Sequence, residues 1–483
     1  MSGKIKKNYL YNLAYQILVV LLPLITTPYI SHVLGSNGVG IFGFTYSVLS
    51  YFILVSMLGV MLYGRREIAY RQNDAIARSK AFWEINIIRW VTTFVAAIIY
   101  YFVCMTSDDL GIYYKIFTLE FIAGVFDISW YFQGIEQFKT LAIRNIIIKL
   151  IFVALIFIFI KTPDDLGLYI AFFGGSALLS NLSVWLLLPK TLKKVKITFK
   201  ETKKHIKPIL VLFLPQAMAE IYAILDKTML GILIKDMDEV GIYEQSQKLE
   251  KFSLSVVTAL SPVMASRVAN LYSEEKGGEI KEKLKKSFHF IWALSTPIAL
   301  GIVGIASTLV PWFLGPDFLG AIPIMQIGAL LIFAIALSNV TGHQYLVPTK
   351  KQNLFTLSIT IGMLTNIIGN LILIPPLHAV GAIISSVSAE CAVAIVQLHF
   401  IKKAIPIREI FKPAVKSLIS GGIMCGVVLL LSLVVPKTVS GTFVQIVVGG
   451  IVYVATMTIL KDEIVLETWG TIGKMLKKLS PKK

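Results

Sequence analysis

Long apolar stretches recur from one end of the chain to the other and constrain its fold more than any other feature. The sequence is 56% hydrophobic and only 15% charged, whereas an ordinary soluble domain is about 25% charged. A helix of about 20 apolar residues crosses the hydrocarbon core of a bilayer, which is roughly 30 Å thick. The sequence therefore predicts an all-α polytopic membrane protein. The fourteen predicted spans lie at about 8–33, 38–63, 81–105, 112–134, 142–161, 166–189, 208–234, 239–266, 287–313, 318–347, 354–375, 378–401, 414–435 and 441–460.

The distribution of Lys and Arg predicts the orientation of these spans. With the N-terminus inside, only four of the 46 Lys and Arg residues fall in outside loops or near the outer ends of spans: Lys115, Lys161, Lys235 and Lys437. Five lie deeper within spans: Arg89, Lys149, Lys227, Lys248 and Lys251. Positive charge favours the cytoplasmic side, so both termini are predicted to be cytoplasmic. This topology also accounts for the net charge of +18, which suits anionic lipid headgroups and does not indicate a nucleic-acid partner. The outside turns are short and acidic, and their aspartates are interpreted as solvated turn residues rather than ligands of a catalytic metal.

A weak internal repeat predicts two helical bundles. The stretch from Leu22 to Phe44 and the stretch from Leu214 to Gln245 both begin with Leu-Pro and both carry Val-Gly-Ile, at Val39–Ile41 and Val240–Ile242. Parallel repeats of this kind pack around an axis along the membrane normal and flank a central cavity. The predicted domains are an N-terminal bundle at 1–189 (helices 1 to 6), a basic cytoplasmic linker at 190–207, a C-terminal bundle at 208–402 (helices 7 to 12), and 403–483 with helices 13 and 14 and a basic tail.

Several polar stretches resemble those of a known family. They are DISWYFQGIEQFK (Asp127–Lys139), LDKTMLG (Leu225–Gly231) followed by VGIYEQSQKL (Val240–Leu249), and GHQYLVPTKKQN (Gly342–Asn353). Together with the fourteen spans, they resemble the polysaccharide flippase (Wzx-type) branch of the multidrug/oligosaccharidyl-lipid/polysaccharide exporter superfamily, over essentially the whole chain. The resemblance implies that undecaprenyl-pyrophosphate-linked oligosaccharide moves from the inner to the outer leaflet, with a polysaccharide polymerase and glycosyltransferases as partners.

Helix 8 carries a polar face that suits such a substrate. Glu244, Lys248 and Lys251 lie at i, i+4 and i+7, followed on the same face by Ser255 and Thr258. Charges inside a bilayer are costly and usually face a polar cavity, so two lysines on one face predict a site that neutralises phosphate. The alternative is a Glu244–Lys248 pair that is satisfied within the helix.

Helices 3 to 5 supply a second set of candidate substrate-binding residues. Glu120, Gly124, Asp127 and Tyr131 repeat the helical spacing on helix 4. Arg89 on helix 3 and Lys149 on helix 5 are predicted to lie at a depth similar to that of Asp127. The group is predicted to form a wall of the inner cavity. The alternatives are that it forms an interhelical salt bridge that fixes the bundle, or that Lys149 extends its ammonium group to the membrane interface.

A third set of residues predicts an ion site. Asp226 on helix 7, Asn366 and Asn370 on helix 11, and Ala382 and Ser386 on helix 12 share one depth in the outer half of the bilayer. A carboxylate, two amide oxygens, a hydroxyl and a backbone carbonyl suit Na⁺ better than Mg²⁺. The set also resembles the sodium site of lipid II flippase relatives, although Asn370 stands where that resemblance implies an acid. The alternative is that Asp226 pairs with a helix 8 lysine and the asparagines join helices by hydrogen bonds.

The sequence thus favours a flippase that works by alternating access and is driven by an ion gradient or by the membrane potential. Glu390 and His343 are candidates for coupling or gating, and Pro23 and Pro215 are predicted to bend helices 1 and 7. The chain has no phosphate-binding Gly-Lys-Ser/Thr loop, so it is predicted not to be an enzyme and to use no cofactor besides a coupling Na⁺ or H⁺. The alternatives are a cation-coupled multidrug exporter of the same fold and a lipid II-type flippase. A membrane glycan polymerase is disfavoured because the outside turns are short.

Overall fold

The computed structural model describes residues 3–104, 109–188 and 192–469. Within these ranges the chain is helical, and no strand is present. The start of the Ser107–Gly111 turn, the beginning of the linker and the basic tail from residue 470 lie outside the described residues. The predicted all-α class is confirmed in the described chain.

Two compact units divide the chain, residues 1–241 and residues 242–483. The compact units divide at 241, so the helix that follows the linker belongs to the first unit. The predicted domain bounds at 189 and 208 stay a prediction. The helices of the first unit are α1 (Gly3–Met57), α2 (Val60–Tyr70), α3 (Ala75–Cys104), α4 (Gly111–Ile116), α5 (Thr118–Phe126), α6 (Ser129–Gly134), α7 (Phe138–Phe159), α8 (Leu166–Trp185), α9 (Phe199–Lys203) and α10 (Ile206–Ile234).

The second unit begins within α11, after its first turn. Its helices pack most extensively around α13, which contacts α14, α16 and α17. The helices are α11 (Met237–Thr258), α12 (Ser261–Ser273), α13 (Gly277–Phe313), α14 (Ala321–Ser338), α15 (Gln352–Ile401), α16 (Ile407–Ser432) and α17 (Val439–Ile459), with a π-helix at Asn339–Leu346.

Ten of the described helical stretches are long and apolar enough to cross a membrane, or eleven if the bent pair Phe199–Phe213 and Gln216–Ile234 counts as one span. The members of that pair are inclined by 43° and have Pro215 between them. Two stretches, Leu21–Tyr70 and Gln352–Ile401, are 50 residues long. Gly35 (φ 68°) interrupts the first stretch and His378 (φ 53°) the second, each where an outside turn between two spans is predicted. The first stretch also has positive φ at Leu58 and Gly59, between α1 and α2. The count of fourteen spans remains a prediction.

The prediction of one continuous fourth helix at 112–134 is wrong. The chain forms α4, α5 and α6 there, and Asp127 adopts an extended conformation (φ −73°, ψ 104°) between the last two. The spacing of Glu120, Asp127 and Tyr131 therefore does not place them on one helical face. Sequence periodicity did not reveal the break because no Pro or Gly marks it; Asp127 ends α5 and starts the next turn by accepting a hydrogen bond from the Ser129 backbone N–H at 2.9 Å.

Candidate functional site

The break after α5 lies in an apolar segment, and neighbouring helices satisfy its exposed carbonyls. Irregular backbone at membrane depth persists only when its polar groups find partners inside the protein. Side chains of α3 and α8 donate hydrogen bonds to four backbone carbonyl groups between residues 123 and 127. The donor–acceptor pairs are Asn181 to Ala123 (2.8 Å), Trp90 to Val125 (3.0 Å), Trp185 to Phe126 (2.7 Å) and Arg89 to Asp127.

These contacts give Arg89 a structural role. Its side chain is 1% exposed and donates to the backbone carbonyl of Asp127, while the Asp127 carboxylate accepts from Ser129. Tyr131 is fully buried and packs edge-on against Phe82, so it lies in an aromatic core. The structure therefore joins Arg89 to the backbone of Asp127, whereas the interhelical alternative expects a salt bridge between the two side chains. Glu120 on α5 and Lys149 on α7 are half-buried.

We expect Arg89→Gln to lower the unfolding temperature of the purified protein, because the shorter side chain leaves the Asp127 carbonyl without its donor. An unsatisfied buried group costs about 1–3 kcal/mol. Asp127→Asn keeps an oxygen that can accept from Ser129 and is expected to unfold within a few degrees of wild type. Thermal unfolding in detergent checks both variants. If the two substitutions destabilised the protein equally, Arg89 would act mainly on the carboxylate and not as a carbonyl donor.

The polar face predicted on helix 8 becomes increasingly accessible along α11. Glu244 is 8% exposed, and the carboxylate lies 3.4 Å from the ammonium of Lys248. The Lys248 side chain is 32% exposed, and Lys251 and Ser255 are exposed. The Glu244–Lys248 pair of the structural alternative is thus present, but it leaves much of Lys248 accessible. The structure ends α11 at Thr258 and starts α12 at Ser261, where one continuous helix is predicted.

Four residues of the predicted ion site lie in α15, within the second unit. Asn366 and Asn370 are fully buried, and Ser386 is 9% exposed. Asn366 donates to the Ser386 hydroxyl at 3.5 Å, and Asn370 donates to the Asn366 carbonyl oxygen at 3.2 Å. Ala382 is also fully buried. The two parts of α15 on either side of His378 are therefore hydrogen-bonded to each other, as the alternative expects. The oxygens present are hard neutral ligands that fit Na⁺, and ion binding remains a prediction.

The fifth predicted ligand, Asp226, lies in the first unit. It is 5% exposed on α10, beside Lys227 and Thr228, which are also buried. The Thr228 hydroxyl accepts from Tyr51 and donates to Ser47, both at 3.0 Å. These hydrogen bonds join α10 to α1 within one helical turn of Asp226. The described residues hold no group of three or more His, Cys, Asp or Glu that could bind a metal.

The two candidate coupling or gate residues lie on the π-helix and on α15, and a hydrogen-bonded network joins these two elements. His343 is exposed in the π-helix at Asn339–Leu346, with its ring 5.0 Å from that of Phe355. Thr341 in the same π-helix donates to Gln397, which donates to Ser358 at 2.8 Å. Glu390 is half-buried on α15. Because π-helices are rare and often occur at functional sites, the whole segment is a functional candidate, and not His343 alone.

A close backbone crossing joins two segments that are equivalent in the internal repeat. A β-carbon at Gly40 would overlap the carbonyl oxygen of Met237, and a β-carbon at Gly241 would overlap that of Ser36. Each obstacle lies four residues before the glycine of the other segment, so the contact is reciprocal. Asp238 accepts hydrogen bonds from Ser36 and, at 3.3 Å, from Asn37. Asp238 is half-buried in the first turn of α11, so these bonds give it protein partners besides solvent.

Sequence reasoning also missed a buried cluster on α2, α3 and the residue before α10. His205 and Glu84 are each 1% exposed, and the imidazole lies 2.8 Å from the carboxylate. The other imidazole nitrogen is 2.6 Å from the hydroxyl of Tyr63. Lys204 lies 3.4 Å from the same carboxylate. The end of the basic linker is thus fixed to the first unit. The one sequence signal for this cluster is that His205 lies next to a lysine-rich segment, and that signal does not indicate Glu84 or Tyr63 as its partners.

The described features define a multi-pass α-helical membrane protein with buried polar groups between its helices. The profile of the family described as "Polysaccharide biosynthesis protein" matches residues 5–268, more than half of the chain. The chain belongs to this family.

The similar proteins carry the names of transport proteins. The chain is 23% identical over 410 residues to a putative O-antigen transporter of Escherichia coli (strain K12), across 82% of this chain and 97% of the relative. It shares its fold with lipid II flippase MurJ in an inward closed conformation, with TM-score 0.73, 16% identity and coverage of 95% of this chain and all of that one. An inward-facing multidrug resistance MATE family transporter of the MOP superfamily has TM-score 0.59 at 13% identity, covering 87% of this chain and 98% of that one. These findings support the predicted family and the prediction that the chain is not an enzyme.

Proposed function

We propose that this protein is a flippase that moves undecaprenyl-pyrophosphate-linked oligosaccharide from the inner to the outer leaflet of a bacterial cytoplasmic membrane. Family membership and the O-antigen transporter relative support a role in polysaccharide export. The substrate is a precursor of capsule, exopolysaccharide or a teichoic-acid-type polymer. Glycosyltransferases would supply it on the inner side, and a polymerase would consume it outside.

The observation that carries this proposal is the accessible lysine face of α11. Lys248 and Lys251 lie in a stretch apolar enough to span a membrane, and both are accessible. Facing lipid, each charge would cost about 3 kcal/mol or more. Facing a polar cavity, the two ammonium groups can bind the pyrophosphate of a lipid-linked sugar. A transporter of cationic drugs would favour carboxylates at such a position.

Alternating access requires contacts that form on one side and break on the other. The crossing of Gly40 and Gly241 supports such a role, because it joins equivalent segments at the predicted outer turns through backbone atoms. We propose that this crossing is closed while the substrate site is open to the cytoplasm and separates when the site opens outward. The driving force is an ion gradient or the membrane potential.

A reconstituted flipping assay tests the function directly. Full-length protein in vesicles is expected to expose lipid-linked oligosaccharide, added to one leaflet, to a membrane-impermeant glycosidase on the other side. Protein-free vesicles and free undecaprenyl phosphate without sugar serve as controls. Imposing a sodium gradient, a proton gradient or a potential alone identifies the coupling. Transport of a cationic dye with no movement of lipid-linked sugar would contradict the proposal and favour the multidrug alternative.

A further inference from the structure

A cavity of 640 Å³ lies in the second unit, and none of its lining residues belongs to α11. One wall belongs to the first turns of α13, a second to the start of α12, and a third to the helical segment at 463–469. Its volume falls within the range of small-molecule sites, roughly 300–1,000 Å³. Neither the proposed transport site nor the predicted ion site uses any of its residues.

The α13 wall is one helical face with a polar part and an apolar part. Lys283, Lys286, Ser287 and Phe290 line the cavity at i, i+3, i+4 and i+7. The first three lie at the predicted membrane boundary, where the ninth predicted span begins at 287. Phe290 lies one turn deeper, and seven residues along a helix span roughly 10 Å. Leu260 on the adjoining wall extends the apolar part. The cavity thus changes from cationic to apolar in the direction in which a lipid changes from headgroup to chain.

The polar part has groups ready to bind a ligand. The Ser287 side chain is 2% exposed, and its hydroxyl has no hydrogen-bond partner among the described residues. Neither Lys283 nor Lys286 forms an ion pair with any residue that the structure describes. Buried polar groups normally find partners, so an orphaned hydroxyl beside two lysines indicates an acceptor-rich ligand.

The neighbouring lysines of the same helix provide an internal comparison. Lys281 and Lys285 lie on another face of α13, and Glu409 on α16 forms salt bridges with both, at 3.7 and 2.8 Å. The acidic residues that line the cavity are Glu463 and Glu467, on the opposite wall, and Asp462 lies 2.8 Å from the lining residue His289. Carboxylates there can accept from headgroup hydroxyls or an amine but would repel phosphate, which places the phosphate at the lysine wall.

We propose that this cavity binds the phosphate headgroup of an amphiphilic lipid, with Lys283, Lys286 and Ser287 as donors and the apolar chain along Phe290 and Leu260. The same chemistry fits an anionic phospholipid of the inner leaflet and a polyprenyl phosphate. The site is separate from the proposed transport site, and lipid binding can be measured without transport, so the two proposals fail independently.

Native mass spectrometry of the full-length protein in detergent tests this assignment. The probes are dioleoyl phosphatidylglycerol, undecaprenyl phosphate and, as a lipid without net charge, dioleoyl phosphatidylcholine. We expect Lys283→Gln with Lys286→Gln to reduce the retained fraction of at least one anionic probe fivefold or more. Lys281→Gln with Lys285→Gln removes the same charge from the same helix and is expected to change it less than twofold. Loss confined to phosphatidylglycerol identifies a membrane lipid, and loss confined to undecaprenyl phosphate identifies a polyprenyl carrier.

Ser287→Leu provides a second variant that keeps both lysines. It removes the hydroxyl and fills part of the cavity, so it is expected to reduce retention of the same probe at least threefold. If the double lysine variant is poorly folded, Ser287→Leu tests whether the cavity binds the lipid. Equal effects of the two lysine pairs, or unchanged retention in Ser287→Leu, would overturn the proposal, because binding would then follow net charge or lie elsewhere.

Discussion

A single methyl group at Gly40 or Gly241 is expected to reduce transport at least about tenfold. In each case the new β-carbon overlaps a backbone carbonyl oxygen, of Met237 or of Ser36, and no side-chain rotation relieves the overlap. The two segments must therefore separate, and a cost of only about 1.4 kcal/mol already changes a population ratio tenfold. The reconstituted flipping assay measures the effect for Gly40→Ala and Gly241→Ala. Gly426→Ala is the matched control, because a β-carbon there meets nothing within 4 Å.

Cross-linking shows whether the loss comes from the crossing itself. The Asn37 and Asp238 side chains lie within hydrogen-bond distance, 3.3 Å, so cysteines at both positions are expected to form a disulfide in a background without the three native cysteines. Oxidation should stop transport, and reduction should restore it. Gly40→Ala in this background should lower the yield of disulfide several-fold. Full transport by the oxidised protein would show that the crossing does not open during the cycle.

Removing both lysines from the accessible face of α11 is expected to abolish export while leaving the protein folded. Hydrogen bonds to charged groups contribute about 1.5–3 kcal/mol each, so losing two predicts a fall of about a hundredfold or more in transport. Complementation of a flippase-deficient strain by Lys248→Ala with Lys251→Ala, together with the protein level in the membrane, measures this. Lys193→Ala with Lys194→Ala removes the same charge from exposed positions in the linker and is expected to complement normally.

The ion pair within α11 requires one further variant. Lys248 lies 3.4 Å from Glu244, so Lys248→Ala alone leaves a buried carboxylate without that partner. If balancing this carboxylate were the only role of Lys248, Lys248→Ala combined with Glu244→Gln would restore export. We expect no restoration, because the phosphate would still lack its cation. Normal surface glycan in the double lysine variant would reject the α11 assignment altogether.

The candidate residues differ in how far the sequence could place them. The α11 face was predictable because one helix carries it, and helical spacing is a local property. The face proposed for Glu120, Asp127 and Tyr131 failed because the helix breaks at Asp127, and the break persists through carbonyl contacts from Trp90, Trp185 and other distant side chains. No local pattern encodes such contacts.

The amides of α15 show the same distinction in a milder form. Their shared depth followed from counting residues along two predicted spans, and the structure places Asn366 beside Ser386. What the sequence left open was whether the oxygens serve an ion or each other. The structure shows hydrogen bonds between the two parts of the helix, because donor and acceptor geometry depends on how the parts pack. Ion binding by the same oxygens stays a prediction.

The crossing at Gly40 and Gly241 separates the two kinds of information most clearly. The sequence by itself determined the apolar stretches and the Val-Gly-Ile repeat that makes the two segments equivalent, and its Lys and Arg residues predict the sidedness. These properties follow from composition and spacing along the chain. Only the tertiary structure decided that each glycine lies against the backbone of the other segment and that Asp238 bonds to Ser36. Residues about two hundred positions apart meet there because helices pack in three dimensions, and glycine alone has no β-carbon to prevent the approach.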